Sequence, residues 1–204
     1  MTPTIALSLD GYTDLPPGKI ANVVTFFELT EPPTAAPIVR PGLTVRHIRA
    51  PATAWYRALY RRIGENWLWF SRADMSNAEL TAIILRSTTA VLALEEAGAA
   101  IGLAEIDLSG AGNAEIVTFG VVPEATGRGV ARVLMGHTLD FAFANGAGRV
   151  WLHTCTFDHP AAVRFYNGCG FRAYKFAIEV SDDPRATGAL PVTAGPHVPF
   201  IKAR

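Results

Sequence analysis

Residues 114–131, Ala-Glu-Ile-Val-Thr-Phe-Gly-Val-Val-Pro-Glu-Ala-Thr-Gly-Arg-Gly-Val-Ala, hold the groups best placed for chemistry. A β-prone apolar run ends at Pro123, and the turn Thr126-Gly127-Arg128-Gly129-Val130-Ala131 opens a helical pattern. A strand that stops at glycines and restarts as a helix points unpaired backbone N–H groups at one place, on the positive end of the helix dipole. Such a turn is an anion cradle, most often for phosphate. Glu115, on the strand leading in, adds a carboxylate. One segment therefore offers a diphosphate grip and a base. A purely structural glycine turn is the plain alternative. Two other nucleotide-binding patterns fit poorly: a Walker loop needs Gly-Lys-Ser/Thr at its end, and the dinucleotide fingerprint needs a small residue where Arg132 stands.

The same stretch resembles motif A of the GNAT superfamily of acetyl-CoA-dependent N-acetyltransferases, whose pattern is Gln/Arg-x-x-Gly-x-Gly/Ala. Thr126-x-x-Gly129-x-Ala131 agrees at the last two positions and departs at the first, where a side-chain contact to the diphosphate is lost. A second block follows in order. His159-Pro-Ala-Ala162-Val-Arg-Phe-Tyr166-Asn-Gly-Cys-Gly170-Phe171 resembles the family's Asn-x-x-Ala-x-x-x-Tyr-x-x-x-Gly-Phe, with His159 in place of the Asn that contacts pantetheine. The likeness covers roughly residues 43–180.

What the resemblance implies is specific. The cosubstrate is acetyl-CoA, held by Thr126, Gly127, Arg128, Gly129, Val130 and Ala131, with His159 and Tyr166 beside the pantetheine and thiol. The strand before motif A splays at a bulge, which frees backbone amides between Phe119 and Val122 (Phe119, Val121 and Val122 among the contacts), and Gly120 suits the bulge. A free alkylamine is mostly ammonium at neutral pH, so a base must take a proton from it. Glu115 is eleven residues before Thr126, the spacing of the general base in histone-acetylating members; Glu105, one strand earlier, is the alternative. A strand carboxylate paired with a neighbour is the structural reading of either. Tyr166 is the expected acid, because a phenol can protonate a departing thiolate; as a structural residue it would pack in the core with Ala162, Phe165 and Cys169. Direct transfer to a primary amine of a small molecule follows, with peptide acetylation and a non-catalytic acyl-CoA sensor as rivals.

The acceptor side is less readable. The family binds the amine with the first two helices and their loop, here Trp55 to Glu79. Tyr60, Trp67, Trp69 and Phe70, with Glu105, are the expected lining, although aromatics at helical spacing also build cores. Arg57, Arg61, Arg62 and Arg72 outnumber Glu65, Asp74 and Glu79, which favours an amine that carries a carboxylate.

Composition narrows the class. The 204 residues suffice for one large domain, half are hydrophobic and mean hydropathy is +0.22. Yet no apolar run approaches the ~18 residues that span a membrane. Met1-Thr2-Pro3-Thr4 lacks the basic start of a signal peptide, so a cytoplasmic protein is expected. Eighteen basic and eighteen acidic residues cancel, leaving no nucleic-acid footprint. Cys155 and Cys169 are too few for a disulfide framework and stand in no nucleophile motif. His47, His137, His153 and His197 show no metal-ligand spacing, and no metal is expected.

Three parts must position these residues. In residues 1–42, alternation at Ile5, Leu7 and Leu9, turn signals at Asp10-Gly11 and Pro16-Pro17-Gly18, and a β-rich run from Ile20 to Leu29 predict an N-terminal hairpin extension, followed by a proline-punctuated linker. Residues 43–180 predict strands at 43–49, 88–95, 100–107, 114–122, 149–156 and 171–180, and helices at 53–64, 77–86, 128–145 and 160–167. Ser76 and Glu79 form a capping box at the start of the second helix. The fold class is α/β (α+β), a mixed, mostly antiparallel sheet flanked by helices. Residues 181–204, with four prolines, are expected to run extended over the surface or onto a partner subunit, as in a homodimer.

Overall fold

The computed structural model describes residues 4–201; Met1 to Pro3, the start of the stretch that lacks signal-peptide character, lie outside the described residues. The strands are β1 (Lys19–Leu29), β2 (Leu43–His47), β3 (Thr89–Glu96), β4 (Ala99–Gly110), β5 (Asn113–Val121), β6 (Arg149–Cys155) and β7 (Arg172–Asp182). The helices are α1 (Thr53–Gly64), α2 (Asn77–Ile84), α3 (Val130–Ala144) and α4 (Ala162–Gly168). All seven strands join one sheet in the order β2-β3-β4-β5-β6-β1-β7. Every neighbouring pair is antiparallel except β5 and β6, which α3 connects as a crossover.

The helices cover opposite faces of this sheet. Gly102 on β4 lies opposite Val121, and a Cβ on it would meet Leu134 of α3; Gly120, opposite the next residue Leu103, faces Ile63 of α1. Since successive strand residues point to opposite faces, α1 and α3 sandwich the sheet. Helix α1 buries Tyr56, Leu59, Tyr60 and Ile63, the face its apolar spacing predicts, and α3 buries Val130, Val133, Leu134, Leu139 and Ala142. The capping box at α2 is present: Ser76 Oγ accepts from the Glu79 N–H, and Glu79 accepts from the Ser76 N–H.

The N-terminal hairpin does not form. Residues 4–9 carry no strand, and Ile5, Leu7 and Leu9 are 47%, 52% and 94% exposed. Strand β1 instead lies inside the sheet, pairing β6 on one edge and β7 on the other. A strand between two partners satisfies both rows of backbone groups, whereas a hairpin satisfies one. Its side chains Val24 and Phe27 are core residues. The segment before the linker therefore completes the sheet that carries the site.

The C-terminal segment also departs from its expected extended course. After β7 it turns back on itself around Arg185, which is 5% exposed. The guanidinium pairs with Asp183 at 2.8 Å and donates to the Val198 carbonyl at 2.7 Å. Leu190 and Ala194 are buried, and Gly195 donates to the Glu65 carbonyl. A buried ion pair with further carbonyl acceptors coils the segment against the loop after α1.

Candidate active site

Strands β5 and β6 run side by side only briefly. Their register ends at Glu115 opposite Trp151, and beyond that point they part. Val122, just past β5, donates its N–H to the Ile101 carbonyl of β4. Because successive amides of a strand point to opposite edges, the amides of Val121 and Phe119 turn away from β4 and into the gap. The bulge that accompanies the splay falls at Val117, between the pairs Ile106–Ile116 and Glu105–Thr118, and not at Gly120. Gly120 instead makes room for its neighbours, since a Cβ there would strike Ile63 and Trp69. The Val122 amide, expected among the cofactor contacts, is already taken.

A cavity of about 630 Å³ occupies the gap. One end is the glycine turn. Gly127 and Gly129 have φ of 77° and 76°, the left-handed region that glycine enters without penalty, and a Cβ on either would meet nothing within 4 Å. Thr126 and Arg128 donate their N–H groups to the carbonyls of Pro123 and Ala125. The amides of Gly127, Gly129, Val130 and Ala131 find no carbonyl acceptor among the described residues. They are the orphan donors of a helix start, and they fit a diphosphate. Thr126, Gly127, Gly129 and Ala131 line the cavity. The Val130 side chain is in the core, and the Arg128 side chain turns away to pair with Glu96 at 2.6 Å.

The middle of the cavity is bounded by α4. Tyr166 lines it and is 8% exposed, packed against Phe27, Phe119, Phe165 and Phe171. Burial above all, then the charge of Asp158, raises its phenol pKa, so the hydroxyl keeps its proton. His159 also lines the wall; its Nδ1 accepts from the Ala161 N–H at 3.0 Å and its ring meets Trp67 edge-on. Cys155 is on the same wall, its thiol pushed up to about 12 by burial and by Asp158, which suits a packed thiol and not a nucleophile.

The two carboxylates of interest separate clearly. Glu105 is 1% exposed: Arg72 Nη2 donates to one oxygen at 2.6 Å, and Arg72 Nε and the Tyr56 hydroxyl donate to the other. It is a strut between sheet and helix, outside the cavity wall. The expectation of Glu105 as acceptor contact or alternative base meets this full set of partners. Glu115 is half-buried on the α1 face of the sheet, one residue before the lining residue Ile116. Its nearest basic partner is His153 Nδ1 at 3.9 Å, and His153 lines the cavity. Burial first, then Asp107 opposite it, raise the Glu115 pKa against the pull of Arg72. That direction moves a carboxylate towards base strength useful at neutral pH.

Tyr60, Trp67, Trp69 and Phe70 all line the cavity. Tyr60 is simultaneously core, hydrogen-bonded to Ser71 and tilted against Trp69. The four arginines of this segment do not face the cavity. Arg57 and Arg61 donate to the carbonyls of Met75 and Ala73, Arg62 pairs with Glu124, and Arg72 with Glu105. The case for a carboxylate on the acceptor falls with them. Sequence reasoning also missed Asp158, which accepts from Trp69 Nε1 at 2.7 Å, Thr154 Oγ1 at 2.7 Å and the Cys155 N–H at 2.9 Å. It ties the aromatic loop to the end of β6. Nothing local marks it, since its partners come from separate segments. Among the described residues, no group of three or more His, Cys, Asp or Glu could hold a metal ion, and no helix is long and apolar enough to cross a membrane.

The sheet is split between parallel strands, and a glycine turn at the start of the helix that joins them lines the gap. The profile of the Acetyltransferase (GNAT) family matches residues 50–171, and the chain belongs to that family, whose members use acetyl-CoA as cosubstrate. A stretch of 51 residues is 43% identical to a streptothricin acetyltransferase of Streptomyces lavendulae, covering 25% of this chain and 26% of that protein. A GCN5-related N-acetyltransferase from Sphaerobacter thermophilus superposes with a TM-score of 0.58 at 18% identity, over 79% of this chain and 52% of the other. The ribosomal-protein-S18-alanine N-acetyltransferase of Escherichia coli does so with a TM-score of 0.55 at 15% identity, over 69% and 94%. At these identities the structures share the fold.

Proposed function

We propose that the protein is an N-acetyltransferase that moves an acetyl group from acetyl-CoA to the primary amine of a small molecule, by direct transfer. The observation that carries this reading is the gap between β5 and β6, which opens at one end on four unpartnered amides and at the other on an aromatic-lined chamber. Acetyl-CoA supplies the acetyl group as an activated thioester. The amides of Gly127, Gly129, Val130 and Ala131 bind its diphosphate, and those of Phe119 and Val121 hold the pantetheine arm and polarise the carbonyl. Glu115 accepts the proton of the incoming ammonium. As the new C–N bond forms and the C–S bond breaks, the Tyr166 hydroxyl gives its proton to the thiolate and is reprotonated by the proton that the nitrogen sheds on becoming the amide. The raised pKa of Glu115 suits a base, while burial keeps the Tyr166 hydroxyl protonated and makes it a weaker acid, so its proton moves only as the charge on the sulfur develops.

A small acceptor is supported by the loop around Trp67 to Phe70, braced from behind by the coiled C-terminal segment and from within by Asp158. The resemblance to a streptothricin acetyltransferase points the same way. The deciding experiment is a coenzyme A release assay over a panel of amines, with mass spectrometry of the products. Acetylated small amines are expected; acetyl-CoA binding without transfer to any amine or peptide would leave a sensor on the same fold.

A further inference from the structure

Strands β1 and β7 build part of the cavity wall. Ile20, Asn22, Glu179 and Ser181 line it, and the register sets Asn22 directly across from Glu179 and Ile20 across from Ser181. Asn22 is 6% exposed, an unusual place for an amide. Its Nδ2 donates to Glu179 Oε2 at 3.0 Å, while its Oδ1 is buried with no partner among the described residues. A buried acceptor left without a donor is unfavourable; the oxygen has almost no accessible surface of its own, so the amide must turn towards the cavity for a bound donor to relieve it. Glu179 receives only that one hydrogen bond, and among the described residues no cation pairs with it.

The remaining charges of the cavity do not compete for this place. Arg132 donates to the Gly168 carbonyl of α4, and Asp158 already accepts from three protein donors. His159 is held against Trp67. Of the two carboxylates among the described residues that line the cavity, Glu179 accepts only one hydrogen bond against three at Asp158, and it stands beside the unpartnered Asn22 Oδ1, both on the face of the sheet that carries His153 and Glu115. Two acceptors and a negative charge, with no cation paired to them among the described residues, recognise an ammonium group.

Resting on the acetyltransferase reading, we propose that Asn22 and Glu179 form the acceptor subsite and that the acceptor is dicationic: one amine is acetylated while a second ammonium is held by Asn22 Oδ1 and Glu179. Strand β1, which the sheet takes up from the N-terminal segment, is what creates this subsite.

The test is calorimetric titration of the protein, saturated with coenzyme A, with α,ω-diamines of three to six carbons and with butylamine. The best diamine is expected to bind at least tenfold more tightly than butylamine, a preference that weakens with added salt. In Glu179→Gln the preference should vanish, with coenzyme A affinity and melting temperature as folding controls; Glu179, unlike Asn22, is exposed, so the variant folds. Equal binding of diamine and monoamine by the unsubstituted protein, or a preference that survives in Glu179→Gln, overturns the proposal. Transfer assays on the same amines separate the two readings. Transfer without diamine preference removes the subsite alone, while Glu179-dependent diamine binding with no transfer removes the acetyltransferase reading alone.

Discussion

Replacing Glu105 with Gln should weaken the fold and leave the chemistry in place. The carboxylate is 1% exposed and the Arg72 side chain 12%, and the pair closes at 2.6 Å with the Tyr56 hydroxyl on the second oxygen. Burial alone would lower the Arg72 pKa, yet Glu105 raises it on balance, so the guanidinium stays charged. Glu105→Gln keeps the volume but strips Arg72 of its counter-charge, and the Gln amide turns a donor towards donors. Breaking a buried pair from one side costs about 3–5 kcal/mol. The remaining exposure of Arg72 and the retained amide oxygen place the expected loss near the lower end, about 3 kcal/mol. For a chain of this size that is a fall in Tm of roughly 6–12 °C. Urea unfolding gives the loss as a shift of midpoint at constant slope, and the pH profile of kcat/KM is measured well below the new Tm. Arg72→Leu combined with Glu105→Leu should recover much of the stability, because a packed apolar pair carries no unpaired charge. The reasoning is refuted if Glu105→Gln unfolds at the same urea concentration while kcat/KM falls about a hundredfold and its acidic limb disappears. Glu105 would then be the base and not a strut.

Glu115→Gln should lower kcat/KM by roughly 10²-fold with little change in unfolding midpoint. Since burial raises the Glu115 pKa, the unsubstituted enzyme gains activity as pH rises through a value above the usual 4.5, and that limb should move or vanish in the variant; a near-normal rate with an unmoved limb removes the base assignment. Tyr166→Phe retains the packing against Phe27 and Phe119 and deletes only the hydroxyl, so kcat should fall while stability holds; an unchanged kcat with thiolate departure rate-limiting would make Tyr166 a core residue alone. Gly129→Val places a β-branched residue at φ +76°, a cost of about 1–2 kcal/mol, and projects it into the open space of the turn. Acetyl-CoA affinity should drop at least tenfold, about 1.4 kcal/mol, and unchanged affinity by calorimetry would dismiss the cradle.

The sequence alone determined what is local. Helix α1 was legible from its apolar spacing, α2 from the Ser76–Glu79 box, and the strand–turn–helix around Gly127 and Gly129 from glycines whose positive φ no other residue adopts freely. The order of the two blocks, one holding Gly129 and Ala131 and the other Tyr166, was enough to place the chain in its family. Tertiary structure alone decided which strands became neighbours. The alternation in residues 4–9 reads as a strand, yet β1 pairs with β6 and β7, which lie more than a hundred residues away in the chain. Pairing partners are chosen by the edges available in the folded sheet, and no local pattern encodes them. The roles of carboxylates follow the same rule. Glu105 and Glu115 stand on adjacent strands and look alike in sequence; Arg72 and Tyr56, brought in from the helical segment, make one a strut and leave the other near the cavity. Asp158, Asn22 and Glu179 entered the site only through contacts across distant segments, because charge and burial belong to the assembled environment and not to the residue type.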